Sequence, residues 1–495
     1  MRSPEEEKGE RMPALRTLGS LAFCAFLDAA DFAMLPGMFR AFERDFGVTL
    51  SDIGLMYLLQ CLVGSLAMPV WGGLGDRSSR KALLCLGCFT WGALTLGCAM
   101  ATSFMEFTLF RTMAAVFMSL VAPISQSVIA DLAPSSRRGR LFGQIGGVAM
   151  LGALCGQFMA TSISEQYVWG IRGWRLSLII VGGLSLAFPV LMYFLMVEPD
   201  RRRAAILARE NAKDKFLGVD WPSLQMASFW LLVLQGVFGC IPWRSFGMFS
   251  ILWLELIGFS SLEVAIIGGA GMLASAVGHV VAGYVGDYAH SITPYRGRVY
   301  VAQFTVAVGM IIIFFILMIV PKDQAHLGLF LGLIVLFNLT ATWAGNATNR
   351  PLIADIVPEW SRASVYSYFS MMEHVPSAFG GYLVSFLAEH MFGFKSGSPH
   401  RKTNINDMSE EERKRNVNAL TLALTFMTLV PWAITFLAYG GMHRTYENDV
   451  HKSQARQRQL AGEIRSNMEN DFDHLEDAEL DCDKVHLLAE GRRDL

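Results

Sequence analysis

The sequence predicts an all-α membrane protein, with twelve transmembrane helices in two pseudo-symmetric six-helix bundles. Three observations predict it. The 495 residues are 53% hydrophobic and 17% charged, with mean hydropathy +0.38, which is more apolar than an ordinary soluble chain of this length. The apolar residues gather into runs of about 20, the length that crosses a bilayer as a helix. Short stretches of the second half also repeat those of the first at matching places.

The first six spans are expected near residues 17–39, 50–74, 82–102, 105–131, 140–162 and 174–197. The second six are expected near 226–257, 262–286, 298–320, 325–349, 362–390 and 417–440. Between the sets, Glu198–Pro222 is charged and carries Arg201, Arg202, Arg203, Arg209, Lys213 and Lys215. The division that follows is a tail (1–16), a first bundle (17–197), a linker (198–225), a second bundle (226–440) and a second tail (441–495). Met1–Arg16 is polar, so no cleavable signal peptide is read there and the first span serves as its own targeting signal.

Basic residues in short loops set orientation. They concentrate after the even-numbered spans: Arg77, Arg80 and Lys81; Arg137, Arg138 and Arg140; the linker; Arg296 and Arg298; Arg350 and Arg362. Both tails are therefore expected to be cytoplasmic, with the long loop Gly393–Asn416 on the other side. The expected setting is a plasma membrane or an endolysosomal or vacuolar one.

The most informative stretch is Pro69–Leu84, PVWGGLGDRSSRKALL. Asp76, Arg77, Arg80 and Lys81 cannot lie in lipid and mark a turn at a membrane face. Gly72 and Gly75 let two helices approach closely beside it. The repeats are Ile129–Gly143 (IADLAPSSRRGRLFG) against Ile353–Ser367 (IADIVPEWSRASVYS), and Gly283–Asp287 (GYVGD) with Arg296-Gly297-Arg298 as a faded copy of the charged loop. Parallel six-helix repeats are what a two-bundle transporter predicts.

The charged loop resembles the signature of the major facilitator superfamily, G-x-L-x-D-R-x-G-R-K between the second and third spans. Here it is carried by Gly72, Leu74, Asp76, Arg77, Arg80 and Lys81, with Ser79 in place of the last glycine. Arg111, Pro123, Gln126–Asp131 (QSVIAD) and Arg138-Gly139-Arg140 resemble the family's fourth-helix motif. More narrowly, residues 28–36 (DAADFAMLP), 242–260 (PWRSFGMFSILWLELIGFS) and 349–358 (NRPLIADIVP) resemble the spinster-like branch, including its plant and protist members. Met118 stands where spinster proteins often carry a glutamate.

The resemblance implies that spans 1, 4, 7 and 10 line a central cavity. Asp28, Asp31, Arg111, Arg244 and Asn346 then become candidates for the substrate and proton pathway, joined by Glu373 and His374 near the middle of span 11. A carboxylate in a poorly hydrated cavity favours its neutral form, and an opposing arginine reverses that preference. A pair made and broken during a cycle would couple protons to cargo. Asp31 is the expected proton site, and Arg244 the anchor for an anionic group. The bland alternative is a set of static interhelical pairs, and for His374 and His279 simple packing. The resemblance also places Asp76 against the start of span 11, where the helix dipole favours negative charge. Gly72, Asp76, Arg77, Arg80, Asp131 and Arg140 would form a latch between the bundles.

In span 5, Gly152 and Gly156 make a small-xxx-small contact. Its Gly147 lies in the same glycine-rich run, but no Gly-Pro step follows, so export is not inferred. No phosphate-binding loop G-x-x-x-x-G-K-[ST] occurs, so ATP is not the expected energy source, and neither H-E-x-x-H nor G-x-S-x-G is present. Seven of the eight cysteines lie in apolar segments, and Cys85 and Cys88 read as packing residues, so no metal or cofactor is expected. With a net charge of -2, nucleic acid is not an expected partner. In the second tail, His451–Met468 is expected to be helical and Asn470–Asp483 disordered, and DKVHLL at Asp483–Leu488 fits an acidic dileucine sorting pattern.

The reading that follows is a monomeric secondary transporter working by alternating access, not an enzyme. Its expected cargo is a small organic or amphiphilic solute, such as a lysolipid or sphingoid compound, with a proton as coupling ion. The alternatives are a carrier of polar organic anions and a non-transporting membrane sensor.

Overall fold

The computed structural model describes residues 4–48, 50–198, 221–394 and 408–490. In lipid, backbone N–H and C=O groups find partners only within the chain, so apolar runs fold as helices. The first bundle holds α1 (Pro4–Phe46), α2 (Leu50–Arg77), α3 (Arg80–Met100), α4 (Phe104–Met118 continued by Val121–Leu132), α5 (Arg138–Ile163) and α6 (Gly173–Leu195). The second holds α7 (Ala227–Ile257), α8 (Ser261–Ile292), α9 (Gly297–Phe314 and the π-turn Phe315–Ile319), and α10 (Leu327–Ala341, Ala344–Asn349 and Arg350–Ile356). It is completed by α11 (Arg362–Ser377, Gly380–Phe386 and Leu387–Met391) and α12 (Glu410–Glu490).

Among the described residues, eleven helices are long and apolar enough to cross a membrane by composition. The twelfth rod, α11, departs because it buries Arg362, Ser364, Ser367, Ser370, Glu373 and Ser377. Local signals set several ends. Ser79 accepts a hydrogen bond from the Ala82 amide at the start of α3. Ser260 and Glu263 form a reciprocal capping box at the start of α8. Gly258, at φ 115°, ends α7 in the left-handed region.

Two expectations need correction. The acidic stretch Asn470–Asp483 is not disordered but continues α12 through Glu490. Leu475, Glu476, Ala478, Glu479 and Leu480 favour helix, and neither Gly nor Pro interrupts the stretch. The helix that carries the tenth span does not stop at 349: beyond the crossing segment, a π-turn at Ala344–Asn349 carries the rod on to Ile356, which draws Arg350 out of a loop and into a helix. Between α5 and α6 a small hairpin, β1 (Tyr167–Val168) with β2 (Ile171–Arg172), joins an otherwise helical chain. Trp169 and Gly170, at φ 51° and 78°, supply the two positive dihedrals of a type I′ turn.

Within the first bundle α1 packs on α5 and α3 on α6, and within the second α7 packs on α12 and α8 on α10. The bundles touch chiefly through α5 on α8 and α2 on α11. These two contacts exchange when the halves are swapped, as pseudo-symmetry requires. Glycines permit the first of them. A Cβ on Gly143 would strike the His279 carbonyl oxygen of α8, and one on Gly152 would strike the Phe26 carbonyl oxygen of α1. So α5 presents one small-residue row (Gly139, Gly143, Gly147) to the other bundle and a second (Gly152, Gly156) to its own.

Candidate functional site

The charged loop builds an inter-bundle gate. Asp76, at the end of α2, accepts hydrogen bonds from the Ala363 amide (3.1 Å) and the Ser364 amide (2.8 Å) in the first turn of α11. There the free amides and the helix dipole favour a carboxylate. Arg80 is fully buried. It lies 3.5 Å from Asp76 and donates to Asp131 of α4 at 2.5 Å. Arg362 of the second bundle donates to the other Asp131 oxygen, so one carboxylate holds one arginine from each half. Glu198 accepts from the Arg80 amide (2.7 Å) and the Ser79 hydroxyl (2.5 Å) at the start of α3. Gly72 lies so close to α11 that a Cβ would meet Ala363 O and the Ser367 side chain.

A second gate repeats the plan with the halves exchanged. Asp287, near the end of α8, accepts from the Gly139 and Arg140 amides in the first turn of α5, both at 2.9 Å. Arg298 lies 3.0 Å from Asp287 and 3.2 Å from Asp355. Arg138 of the first bundle donates to Asp355 at 2.6 Å. Three additions have no counterpart in the first gate. The Ser135 hydroxyl donates to Asp355 (2.9 Å), the Ser135 carbonyl accepts from Arg298, and the Tyr446 hydroxyl donates to Asp355 from α12 (3.0 Å). Asp355 lies beyond the membrane-crossing part of its helix, Gln324–Ala341. Burial would push its carboxyl up, but Arg298 and Arg138 outweigh burial and hold it below the usual carboxylate range.

Of the latch residues expected from the sequence, Gly72, Asp76, Arg80 and Asp131 meet in the first gate. Arg140 belongs to the second, 3.7 Å from Asp287, and Arg77 is exposed. Arg138, Asp287, Arg298, Asp355 and Arg362 also join these clusters and are not among the latch residues expected from the sequence, although the repeated IAD and R-G-R stretches contain their signal.

Inside the first bundle, Asp31 and Arg111 form a fully buried pair with 2.5 Å between Oδ1 and Nη1. Arg111 also donates to the Asp31 carbonyl (3.1 Å) and to Gln60 Oε1 (3.0 Å). The other Asp31 oxygen accepts from Trp91 Nε1 and from Thr95 Oγ1 (3.0 Å). Both oxygens are thus occupied, which is what a buried ion needs to be tolerated. Asp28 lies one turn earlier on the same face. It is half-buried, near Asp31 and Arg111, with no hydrogen bond to its carboxylate among the described residues.

The second bundle carries a looser pair. Glu373 Oε2 lies 3.6 Å from Arg350 Nη2 without a hydrogen-bond partner, while Oε1 accepts from the Cys240 thiol at 2.8 Å. Next to it, the Tyr439 hydroxyl stands 2.8 Å from Gln235 Oε1 and 2.6 Å from Asn349 Oδ1. Arg350, counted as a loop charge in the sequence, escapes notice because the π-turn that internalises it leaves no mark in the hydropathy. Half-buried His374 lies near Glu373, Arg244 and Arg350. Arg244, also half-buried, stands beside Tyr57 and Cys61 of α2, across the seam between the bundles. It has no carboxylate partner among the described residues. His279 uses Nδ1 on the Ser275 carbonyl of its own helix (2.8 Å), a packing role. The Asn346 side chain, the linker arginines and lysines, and the side chains of Asp483–Leu488 lie outside the described residues.

Two exchanged gates on one face and charged groups at mid-bundle define the class: a polytopic membrane protein of two facing six-helix bundles. The family is settled by comparison. The Major Facilitator Superfamily profile matches residues 21–396, and the chain belongs to that superfamily. Protein spinster homolog 1 of Xenopus tropicalis is 25% identical over 183 residues, 37% of this chain and 34% of that protein. Multidrug transporter AQR1 of Candida glabrata is 22% identical over 171 residues, 34% of this chain and 29% of that one. The matching stretches thus span about a third of these relatives' length. Among solved structures, a bacterial homologue of the human lysosomal transporter Spinster, inward-facing and occupied, superposes with TM-score 0.58 at 17% identity, covering 87% of this chain and 97% of that one. A bacterial homologue of the iron transporter ferroportin, outward-facing, gives 0.59 at 14% identity, covering 86% and 99%. The likeness to these structures is one of fold.

Proposed function

We propose that the chain is a proton-coupled secondary transporter that moves an amphiphilic organic solute, of lysolipid or sphingoid type, by alternating access. The observation that carries this reading is the contrast between the gates, where Asp131 and Asp355 each hold an arginine from both halves, and half-buried Asp28 and Arg244 at mid-bundle, which have no ion-pair partner among the described residues. The gates join the bundles on the face bearing the α2–α3 turn. With both tails cytoplasmic, as the basic loops suggest, this arrangement is closed to the cytoplasm. Asp28 and Arg244 remain for chemistry, because ionisable groups within a membrane span are costly to keep without a use.

In this reading the proton site is Asp28 rather than Asp31. A proton arriving at Asp31 must displace Arg111, Trp91 or Thr95, whereas Asp28 has room to accept one. The Asp31–Arg111 pair holds α1 to α4 and biases its neighbour. Arg244 receives the anionic group of the cargo, with Tyr57 beside it, and its lack of a carboxylate partner also favours a polar organic anion as second cargo class. Glu373 and His374 complete the path on the second bundle.

The test is uptake of radiolabelled lysophosphatidylcholine, sphingosine 1-phosphate and succinate into proteoliposomes holding the full chain, with and without an imposed proton gradient. The gradient should stimulate uptake of one amphiphile, and Asp28→Asn should remove the stimulation while sparing exchange without a gradient. Undiminished stimulation in Asp28→Asn overturns the proton assignment. Failure of all three probes favours a non-transporting sensor.

A further inference from the structure

An apolar groove of about 380 Å³ opens on the flank of the second bundle, away from the seam between the bundles. Its walls are Val285 and Ala289 of α8, Tyr300, Val301 and Phe304 of α9, and Trp343 of α10. The volume falls in the range of ligand pockets. Tyr300 and Phe304 are also more than half exposed, on a protein whose flanks are bathed in lipid. The floor is firm: the Phe304 and Trp343 rings lie 6.4 Å apart, and the Tyr300 ring packs at a tilt against His443 of α12, 4.5 Å between centroids.

The end of the groove nearest the gates is not apolar. There the α8–α9 turn passes Thr293 and Gly297, both of which line it. Beside Gly297 stands Arg296, exposed and without an ion-pair partner among the described residues. The two arginines that flank this glycine therefore differ. Arg298 is buried and spent on Asp287 and Asp355, while Arg296 is exposed in the turn between two membrane-crossing helices. An apolar slot that ends at Gly297, next in the chain to an exposed arginine without an ion-pair partner among the described residues, is complementary to a molecule with a hydrocarbon chain and an anionic head.

We propose that this groove binds an anionic phospholipid, with one acyl chain between α8 and α9 and its phosphate against Arg296. The site is distinct from the central path and does not depend on what the transporter carries.

The test is native mass spectrometry of the full-length protein in detergent, offered equal amounts of phosphatidylglycerol and phosphatidylcholine with identical acyl chains. The wild type should retain phosphatidylglycerol preferentially. Arg296→Gln should reduce that preference about fivefold, equivalent to ~1 kcal/mol, the typical worth of one arginine toward anionic lipid. Val301→Trp, which fills the slot, should lose retention of both lipids. Equal retention of the two lipids by the wild type, or a preference that Arg296→Gln leaves unchanged, overturns the proposal and makes the groove ordinary lipid boundary. The Arg296 substitution is on the surface and spares packing, so the answer does not hinge on whether the tryptophan variant folds.

Discussion

The two gates share a skeleton and differ in what surrounds it. In each, a carboxylate at the end of one helix accepts two amides from the first turn of a helix in the other bundle: Asp76 on α11 and Asp287 on α5. In each, a second carboxylate takes one arginine from each half: Asp131 with Arg80 and Arg362, and Asp355 with Arg298 and Arg138. The second gate adds Ser135 and Tyr446, while the first is braced from its own side by Glu198. The first gate therefore joins the bundles through its two carboxylates alone, whereas in the second Ser135 also crosses the seam to Asp355 and Arg298 and Tyr446 braces Asp355 from its own bundle. Parting the halves should strain the second gate more, and that asymmetry can be measured.

The severest test removes the shared carboxylate. Asp131→Ala and Asp355→Ala each strand two buried guanidiniums, a loss on the order of 3–5 kcal/mol. The drop in apparent melting temperature should be larger for Asp355→Ala, which loses four partners; equal drops would erase the distinction between the gates. A smaller change is Asp76→Asn against Asp287→Asn. Each keeps shape but loses the charge that faces a helix N-terminus, about 1–2 kcal/mol. Spin-label distances across the gates should show a several-fold gain in the open population. A comparable gain from both variants would support the symmetric skeleton.

Tyr446→Phe should weaken only the second gate, by roughly 1–2 kcal/mol for a hydrogen bond to a charged acceptor. An effect on the α2–α11 distance as large as that on the α5–α8 distance would contradict the assignment. Glu198→Gln, at a partly exposed cap of the first gate, should cost under about 1 kcal/mol. Acidity supplies the mildest probe. Because the closed gate depresses the Asp355 carboxyl, its stabilisation is present above the ordinary carboxylate value near ~4 and disappears only as pH falls below it. Gate distances should therefore be flat between about pH 5 and 8 as far as Asp355 is concerned. A transition in that window that Asp355→Asn removes would reverse this sign.

Much of the architecture was legible because bilayers impose a length on apolar runs, and because Asp76 and Arg80 sit in a loop where uncompensated charge stands out. The repeats contain the residues of the second gate, but the sequence alone predicts a single latch that includes Arg140. What stayed hidden is geometric. Arg80, Arg138, Arg298, Arg350 and Arg362 all counted as topological charges in short loops, yet each is at least nine-tenths buried. A turn rich in arginine looks the same in sequence whether its guanidiniums face water or carboxylates of another helix. Asp28 and Asp31 likewise share a helical face, and only tertiary packing separates the saturated carboxylate from the open one. Trp91 and Thr95, which make that difference, belong to a helix with no polar pattern to announce them.

The paired glycine rows of α5 have a further consequence. One row, Gly139 to Gly147, lies on the surface between the bundles, and the other, Gly152 and Gly156, on a surface within one bundle; under the proposed alternating access the first must part and the second must hold. The same residue type thus serves as a bearing at one end of a single rod and as a weld at the other. Bulk added at the first should jam the machine in one posture, whereas bulk added at the second should break the part itself.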